Sequence, residues 1–179
     1  MENSLFAYIE RLELIAFFAG YSLIYTIVQV IASRQNKKPT SFINRLVFLL
    51  PLGYALIATL FLGLILKNLY PDYSFKNITH QFQYPYLILW GLLAMLFWLP
   101  FFNKKPLYSL LHSLVFFFLL LQDMYAQLTS AGGGKEILRN DMKIYSDSLL
   151  LNIASLLFIL IIHSFFIRIS NNKKASAQS

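Results

Sequence analysis

Five stretches of the chain, each 19 to 22 residues long, carry almost no charge. A helix needs about 20 mostly apolar residues to cross the hydrocarbon of a bilayer, and every one of these stretches meets that requirement. Only 13% of all residues are charged, against about 25% in a soluble domain. We therefore expect a polytopic integral membrane protein. The predicted spans are residues 14–33, 46–66, 84–102, 107–128 and 148–167.

The spans are predicted to be helices, because hydrocarbon offers the peptide groups no water and only helices or closed barrels satisfy those groups internally. A barrel strand would alternate apolar and polar residues over about ten positions, and the runs LVFFFLLL and ASLLFILII do not alternate. The spans account for most of the chain. We expect one all-α membrane domain over residues 1–179, ending in a flexible polar tail at 170–179.

Lysine and arginine are distributed unequally between the connections. Five spans place the two termini on opposite sides, and sorting the charges on that basis gives one face with nine basic residues and no acid. The other face has six basic residues and all eight acids. Short cytoplasmic loops are rich in Lys and Arg. The nine-base face is therefore predicted to be cytoplasmic, with the N-terminus outside and the C-terminus inside.

The net charge of +7 has the same explanation. Basic residues at membrane edges are attracted to anionic lipid, so the bilayer is the expected partner and nucleic acid is not. The first residues, MENSLFAYIERLE, hold two acids before the first base, unlike the basic start of a cleavable signal peptide. We expect a retained first helix and favour a bacterial inner membrane as the location.

Motifs for catalysis are missing from the sequence. The chain has no cysteine, which excludes quinone-linked disulfide oxidoreductases, since these need redox-active cysteine pairs. It also has no GxSxG nucleophile elbow and no HExxH zinc helix. Catalytic groups can be dispersed along a chain, so the enzyme question stays open, with the expectation weighted against catalysis.

His112 and His163 are the candidate cofactor ligands. His112 lies seven residues beyond Lys105, and His163 lies five residues before Arg168. At 1.5 Å per residue the predicted topology places both in the cytoplasmic leaflet at nearly the same depth. Two helices that each offer an imidazole at matched height could hold a haem b through both axial positions. The alternative is that each imidazole hydrogen-bonds a neighbouring helix or reaches toward the headgroups.

Asp123 is the one charged residue inside a predicted span. A carboxylate at the centre of a bilayer costs at least about 2.5 to 3.5 kcal/mol, but Asp123 lies near the outer end of its span, about 8 Å from it by helical rise. We expect an interfacial acid paired with Arg11 or Lys67. The alternative is a proton or ion site shared with Glu13 or Asp147.

Small residues recur every four positions on two of the spans. This spacing allows helix backbones to approach closely, either within the chain or against another subunit. The residues are Ala16 and Gly20 on the first span, and Ala55, Thr59 and Gly63 on the second.

These features favour a small non-catalytic subunit or scaffold of a larger membrane complex, with other membrane subunits as partners. The second hypothesis is a haem b- or quinone-associated electron-transfer subunit that uses His112 and His163. The third is an ion- or proton-coupled transport component built around Asp123, which ranks lowest because the spans offer few polar groups to line a path.

Overall fold

Every element in the described part of the chain is a helix, which confirms the all-α prediction. The computed structural model describes residues 2–34, 41–71, 84–129 and 134–176. The helices are α1 (Glu2–Phe18), α2 (Tyr21–Arg34), α3 (Ser41–Leu69), α4 (Pro85–Leu93), a 3-10 helix (Ala94–Trp98), α5 (Pro100–Asn103), α6 (Pro106–Thr129) and α7 (Gly134–Ser176).

Four helical segments are long and apolar enough to cross a membrane, which supports a membrane-embedded protein. The first comprises the second half of α1 together with α2, and the others lie in α3, α6 and α7. The segments are Glu10–Arg34, Phe42–Leu69, Pro106–Ala126 and Met142–Ile169.

The predicted span at 84–102 is not one continuous helix. α4 gives way to the 3-10 helix, Leu99 is extended with a ψ of 135°, and α5 begins at Pro100. Proline lacks an amide hydrogen and disfavours a helical conformation in the residue before it, so the helix ends there. The apolar helical run Pro85–Trp98 is shorter than the ~20 residues of a usual span.

The first span is interrupted in its middle, between α1 and α2. The N–H of Gly20 donates to the Ser148 hydroxyl of α7 over 2.9 Å. A Cβ on Gly20 would lie 2.7 Å from backbone atoms of Ser148 and Leu149, closer than side chains approach in real proteins. The absence of a side chain at Gly20 therefore allows α7 to touch the backbone at this interruption.

α7 is much longer than the span predicted within it. It runs from Gly134 to Ser176, 43 residues, or about 65 Å at 1.5 Å per residue. α7 continues through part of the predicted polar tail, as far as Ser176, and residues 177–179 lie outside the described residues. Neither proline nor glycine follows Gly134 within this helix, so nothing in the sequence stops it from propagating.

α3 lies at the centre of the bundle and contacts α2, α4, the 3-10 helix, α6 and α7. Phe18 of α1 stacks on Phe116 of α6 with ring centroids 4.6 Å apart. The same phenylalanine makes edge contacts with Tyr54 and Phe61 of α3. All four rings are at most 2% exposed, so aromatic side chains fill the interior between these helices.

Candidate functional site

His112 of α6 lies among aromatic side chains from α3, α4, the 3-10 helix and its own helix. Its Nδ1 is 2.8 Å from the Tyr54 hydroxyl, and its Nε2 is 2.8 Å from the carbonyl oxygen of Trp90. The imidazole stacks on the Trp90 indole, with ring centroids 4.8 Å apart and planes inclined by 4°. Phe97 and Phe116 complete the cluster at centroid distances of 6.2 and 5.9 Å.

The two hydrogen bonds fix which nitrogen of His112 carries the proton. A carbonyl oxygen only accepts, so Nε2–H donates to that of Trp90, and in the neutral imidazole Nδ1 then accepts from the hydroxyl of Tyr54. The indole N–H of Trp90 donates in turn to the His112 carbonyl over 3.4 Å. The lone pair of the imidazole is therefore used within the protein, and His112 could ligate iron only if the bond from Tyr54 opened.

His163 of α7 lies on a different side of α3 from His112. Its ring is 6.4 Å from that of Phe48, whereas the ring of His112 is 5.6 Å from that of Tyr54. Phe48 and Tyr54 are six residues apart on α3, which is about 9 Å along the helix and about 120° around it. The structure does not bring the two candidate haem ligands together on one face of that helix.

A cleft of about 300 Å³ opens beside His112, between the α4–α5 segment and α6. Several of its side chains are also partly exposed, so the cleft opens sideways toward the surroundings of the bundle. The cleft is almost entirely apolar, and among its lining residues only Trp90, Tyr108 and His112 have polar atoms in their side chains. Its lining residues are Trp90, Leu93, Leu96, Phe97, Phe102, Tyr108, Leu111 and His112.

Lys105 stands at the end of this cleft, in the turn that joins α5 to α6. Its ammonium lies over the rings of Tyr108 and Phe101, 5.3 and 5.6 Å from their centroids. Contacts of this kind between a cation and an aromatic face are attractive, so they hold the charge beside the cleft-lining ring of Tyr108. Lys104 precedes it and is also exposed.

Asp123 of α6 forms an ion pair with Arg11 of α1, at 2.8 Å between Oδ1 and Nη2. Arg11 is one of the two bases that the sequence suggested. The same nitrogen donates to the carbonyl of Leu119 and to the side-chain oxygen of Gln122, at 3.2 and 3.3 Å. The two charged side chains are 20% and 15% exposed. This cluster ties the start of the first crossing segment to the far end of α6.

Glu10 adds a second tie at the same level. It is buried, and its Oε1 accepts from the backbone N–H of Tyr84 over 2.9 Å. Tyr84 immediately precedes α4, where the amides of a helix start need acceptors. In the described part of the chain, no three His, Asp or Glu side chains gather in a way that could hold a metal ion.

No family model, curated protein or solved structure matches this chain. The function is therefore inferred from the chain's own geometry.

The small residues suggested as packing positions have different environments. Ala55 is buried, and Gly20 is in close contact with α7, while Ala16 is half-buried. The Thr59 hydroxyl accepts from the Trp98 indole and donates to the Ala55 carbonyl, both over 3.0 Å. A Cβ on Gly63 would meet nothing within 4 Å in the described structure.

Three polar residues of α7 make helix contacts that the sequence reasoning missed. Ser148 accepts from Gly20, the Asn152 amide donates to the carbonyl of Phe17 over 2.9 Å, and the Ser155 hydroxyl donates to that of Gly53 over 2.7 Å. All three α7 side chains are at most 4% exposed. Their spacing of four and then three residues could have predicted these contacts, because it places all three on one face of an apolar helix.

Proposed function

We propose that the protein is a small non-catalytic subunit or scaffold of a larger membrane protein complex. It crosses the membrane five times, with its N-terminus outside and its C-terminus in the cytoplasm, and resides in the inner membrane of a bacterium. Its partners are other membrane subunits that cover the outer face of α7.

The fifth crossing is supported by the two ends of the segment 84–105. Glu10 and Arg11 are adjacent, and they bind Tyr84 and Asp123 respectively, so Tyr84 lies near the level of Asp123. The segment ends where α6 begins, 17 residues before Asp123, or about 26 Å away by helical rise. That distance is most of a hydrocarbon thickness of about 30 Å, so a chain of short helices makes this crossing.

The orientation rests on the charges. With five crossings, the connection after α2, the connection around Lys104 and Lys105, and the C-terminal end of α7 share one side, and they contain basic residues without any acid. Such connections are typical of the cytoplasmic side. The opposite side carries the Arg11–Asp123 pair.

The observation that carries the proposed function is the contrast between the two faces of α7. One face is buried through Ser148, Asn152 and Ser155, which form hydrogen bonds with Gly20 between α1 and α2, with α1 and with α3 respectively. The opposite face is apolar, and the described residues leave it uncovered along about 16 Å of helix, at Leu150, Ile153, Leu157 and Ile161, which are 45 to 68% exposed. α7 therefore adheres to the bundle by one side and presents the other for a neighbouring subunit.

The interior of the bundle favours a structural role over transport or electron transfer. Phe18, Tyr54, Phe61 and Phe116 occupy the space between α1, α3 and α6. Asp123 is bound to Arg11 near one end. A transport path needs polar groups facing a water-filled space, and the described interior offers aromatic rings instead.

Affinity purification of the tagged chain from its natural membrane in mild detergent, followed by native mass spectrometry, tests the proposed function. We expect a defined partner at fixed stoichiometry. The double variant Leu157→Ala and Ile161→Ala should lose that partner while retaining the helical circular dichroism of the parent chain. The matched control is Ile27→Ala with Ile31→Ala on α2, where two apolar residues one turn apart are also about half exposed. A monomeric chain, or a partner lost equally from both variants, would refute the role of α7.

Topology can be tested by labelling single cysteines, because the natural chain contains none. Tyr86→Cys and Lys105→Cys place one exposed thiol near each end of the short-helix segment. A membrane-impermeant maleimide should label the first in intact cells and the second only after permeabilisation. Labelling of both from the same side would mean that the segment does not cross.

A further inference from the structure

The cleft beside His112 and the lysines at its end together have the features of a lipid-binding site. The cleft has a volume of about 300 Å³ and an apolar lining, which lies at the lower end of the range of ligand pockets. It opens sideways, since Leu93, Leu96 and Leu111 line it and remain 39 to 54% exposed. An acyl chain could therefore enter from the surrounding bilayer without any opening of the bundle.

The charge beside the cleft is supplied by Lys105, and Lys104, which is also exposed, precedes it in the same connection. Lys105 lies over Tyr108, whose ring lines the cleft, at 5.3 Å from the centroid. The connection at 103–105 contains no acid, and neither do the other two connections on the same predicted face. Within the described residues, the Arg11–Asp123 ion pair belongs to the opposite end of α6. In the described part of the chain neither ammonium group forms an ion pair, so both can meet an external anion.

We propose that the cleft binds an anionic phospholipid, with one acyl chain between α4 and α6 and the phosphate at Lys104 and Lys105. A free phosphate would leave the apolar cleft unused, and an uncharged lipid would leave the two cations unused. The acyl chain gains little by moving from bulk lipid into the cleft, because both environments are equally apolar. Selection among lipids therefore depends on the headgroup, and basic sites between membrane helices bind anionic headgroups in this way.

Trp90 provides a direct readout, because it lines the cleft and the chain has only two tryptophans. In a Trp98→Phe background it becomes the sole indole. The protein is reconstituted into nanodiscs of ordinary phosphatidylcholine. A small fraction of a lipid with brominated acyl chains, which quench nearby indoles, is then included, and this brominated lipid is either phosphatidylglycerol or phosphatidylcholine. We expect half-maximal quenching at a lower fraction of the anionic lipid, by about fivefold for each lysine that contacts the phosphate.

Three variants make the result specific. Lys104→Gln with Lys105→Gln should abolish the preference for phosphatidylglycerol, and Leu111→Phe should reduce quenching by both lipids because it fills the cleft. Arg168→Gln, which removes a base at the end of another crossing segment on the same predicted face, should change neither. Glycerol 3-phosphate, added at the same concentration as the brominated phosphatidylglycerol, should leave quenching unchanged. This result distinguishes a lipid from a free phosphate as the occupant.

Equal quenching by the two brominated lipids would overturn the proposal, as would a preference that survives loss of both lysines. Because Trp98 donates to Thr59, its replacement could disturb the fold, so the unmodified chain is also measured by native mass spectrometry with equal amounts of the two lipids. Retention of phosphatidylglycerol, lost in the double lysine variant, is the expected result. Equal retention of both lipids would again contradict a specific site.

Discussion

Replacing Gly20 with alanine tests the contact that joins the α1–α2 interruption to α7. The added methyl group would lie 2.7 to 2.8 Å from backbone atoms of Ser148 and Leu149. These atoms belong to a continuous helix and cannot rotate aside, so α7 would have to move. Overpacking of this kind costs about 1–3 kcal/mol, and loss of the Gly20–Ser148 hydrogen bond would add about 1 kcal/mol.

One effect opposes this destabilisation. Alanine restricts the unfolded chain more than glycine does, which stabilises the folded protein by roughly 0.4–1 kcal/mol where the native backbone accepts it. We therefore expect Gly20→Ala to lower the free energy of unfolding by about 1–3.5 kcal/mol in total.

The assay is unfolding in mixed micelles of increasing dodecyl sulfate content, followed by circular dichroism. Gly63→Ala is the matched control, since a Cβ at that helical position meets nothing within 4 Å in the described structure. The control should be as stable as the parent chain or slightly more stable. If Gly20→Ala unfolds at the same detergent fraction as Gly63→Ala, the close approach of α7 to Gly20 is refuted.

Three further substitutions probe polar contacts between helices. Asp123→Asn should destabilise the protein by about 1–3 kcal/mol, because it leaves Arg11 partly buried without its counter-charge. Arg11→Gln should cost less in the Asp123→Asn variant than in the parent chain, and additive effects of the two substitutions would argue against the ion pair. Tyr54→Phe removes the hydroxyl that donates to His112 and should cost about 1 kcal/mol in the same unfolding assay, whereas no change would contradict that bond. Ser155→Ala should cost about 0.6 kcal/mol, the average for such bonds between membrane helices, and an increase in stability would contradict it.

Length and apolarity predicted most of the helical content, because a bilayer leaves the backbone few alternatives. They did not predict the break at Leu99, although its cause is visible as Pro100. In hydrocarbon a proline is tolerated when neighbours satisfy the freed groups, and Pro51 lies inside α3 without ending it. Which proline ends a helix thus depends on tertiary packing, and the sequence alone does not supply that information.

The sequence also identified ionisable residues more readily than it assigned their partners. The partner of Asp123 could be narrowed to Arg11 or Lys67, because few basic residues lie at the same depth in the predicted topology. The hydrogen-bond partners of His112 could not be narrowed in this way, since Tyr54 and Trp90 are only two of many aromatic residues that could face it. The match in depth between His112 and His163 constrains the height of each imidazole but not its direction around the helix, and direction determines whether two ligands can share a haem.

The orientation of α7 follows from the spacing of its polar residues. Ser148, Asn152 and Ser155 fall within about 60° of one another around a helix of 3.6 residues per turn, and the carboxamide of an asparagine facing lipid could not satisfy all its polar groups within its own helix. These three side chains must therefore face protein. Leu157 and the other apolar residues on the opposite side of α7 then face outward. Hydrogen bonds to Gly20, Phe17 and Gly53 hold these three side chains against the bundle, and a rotation of α7 that buried its outer face would break them. Among the described residues nothing covers that face, so lipid or another chain must lie against it.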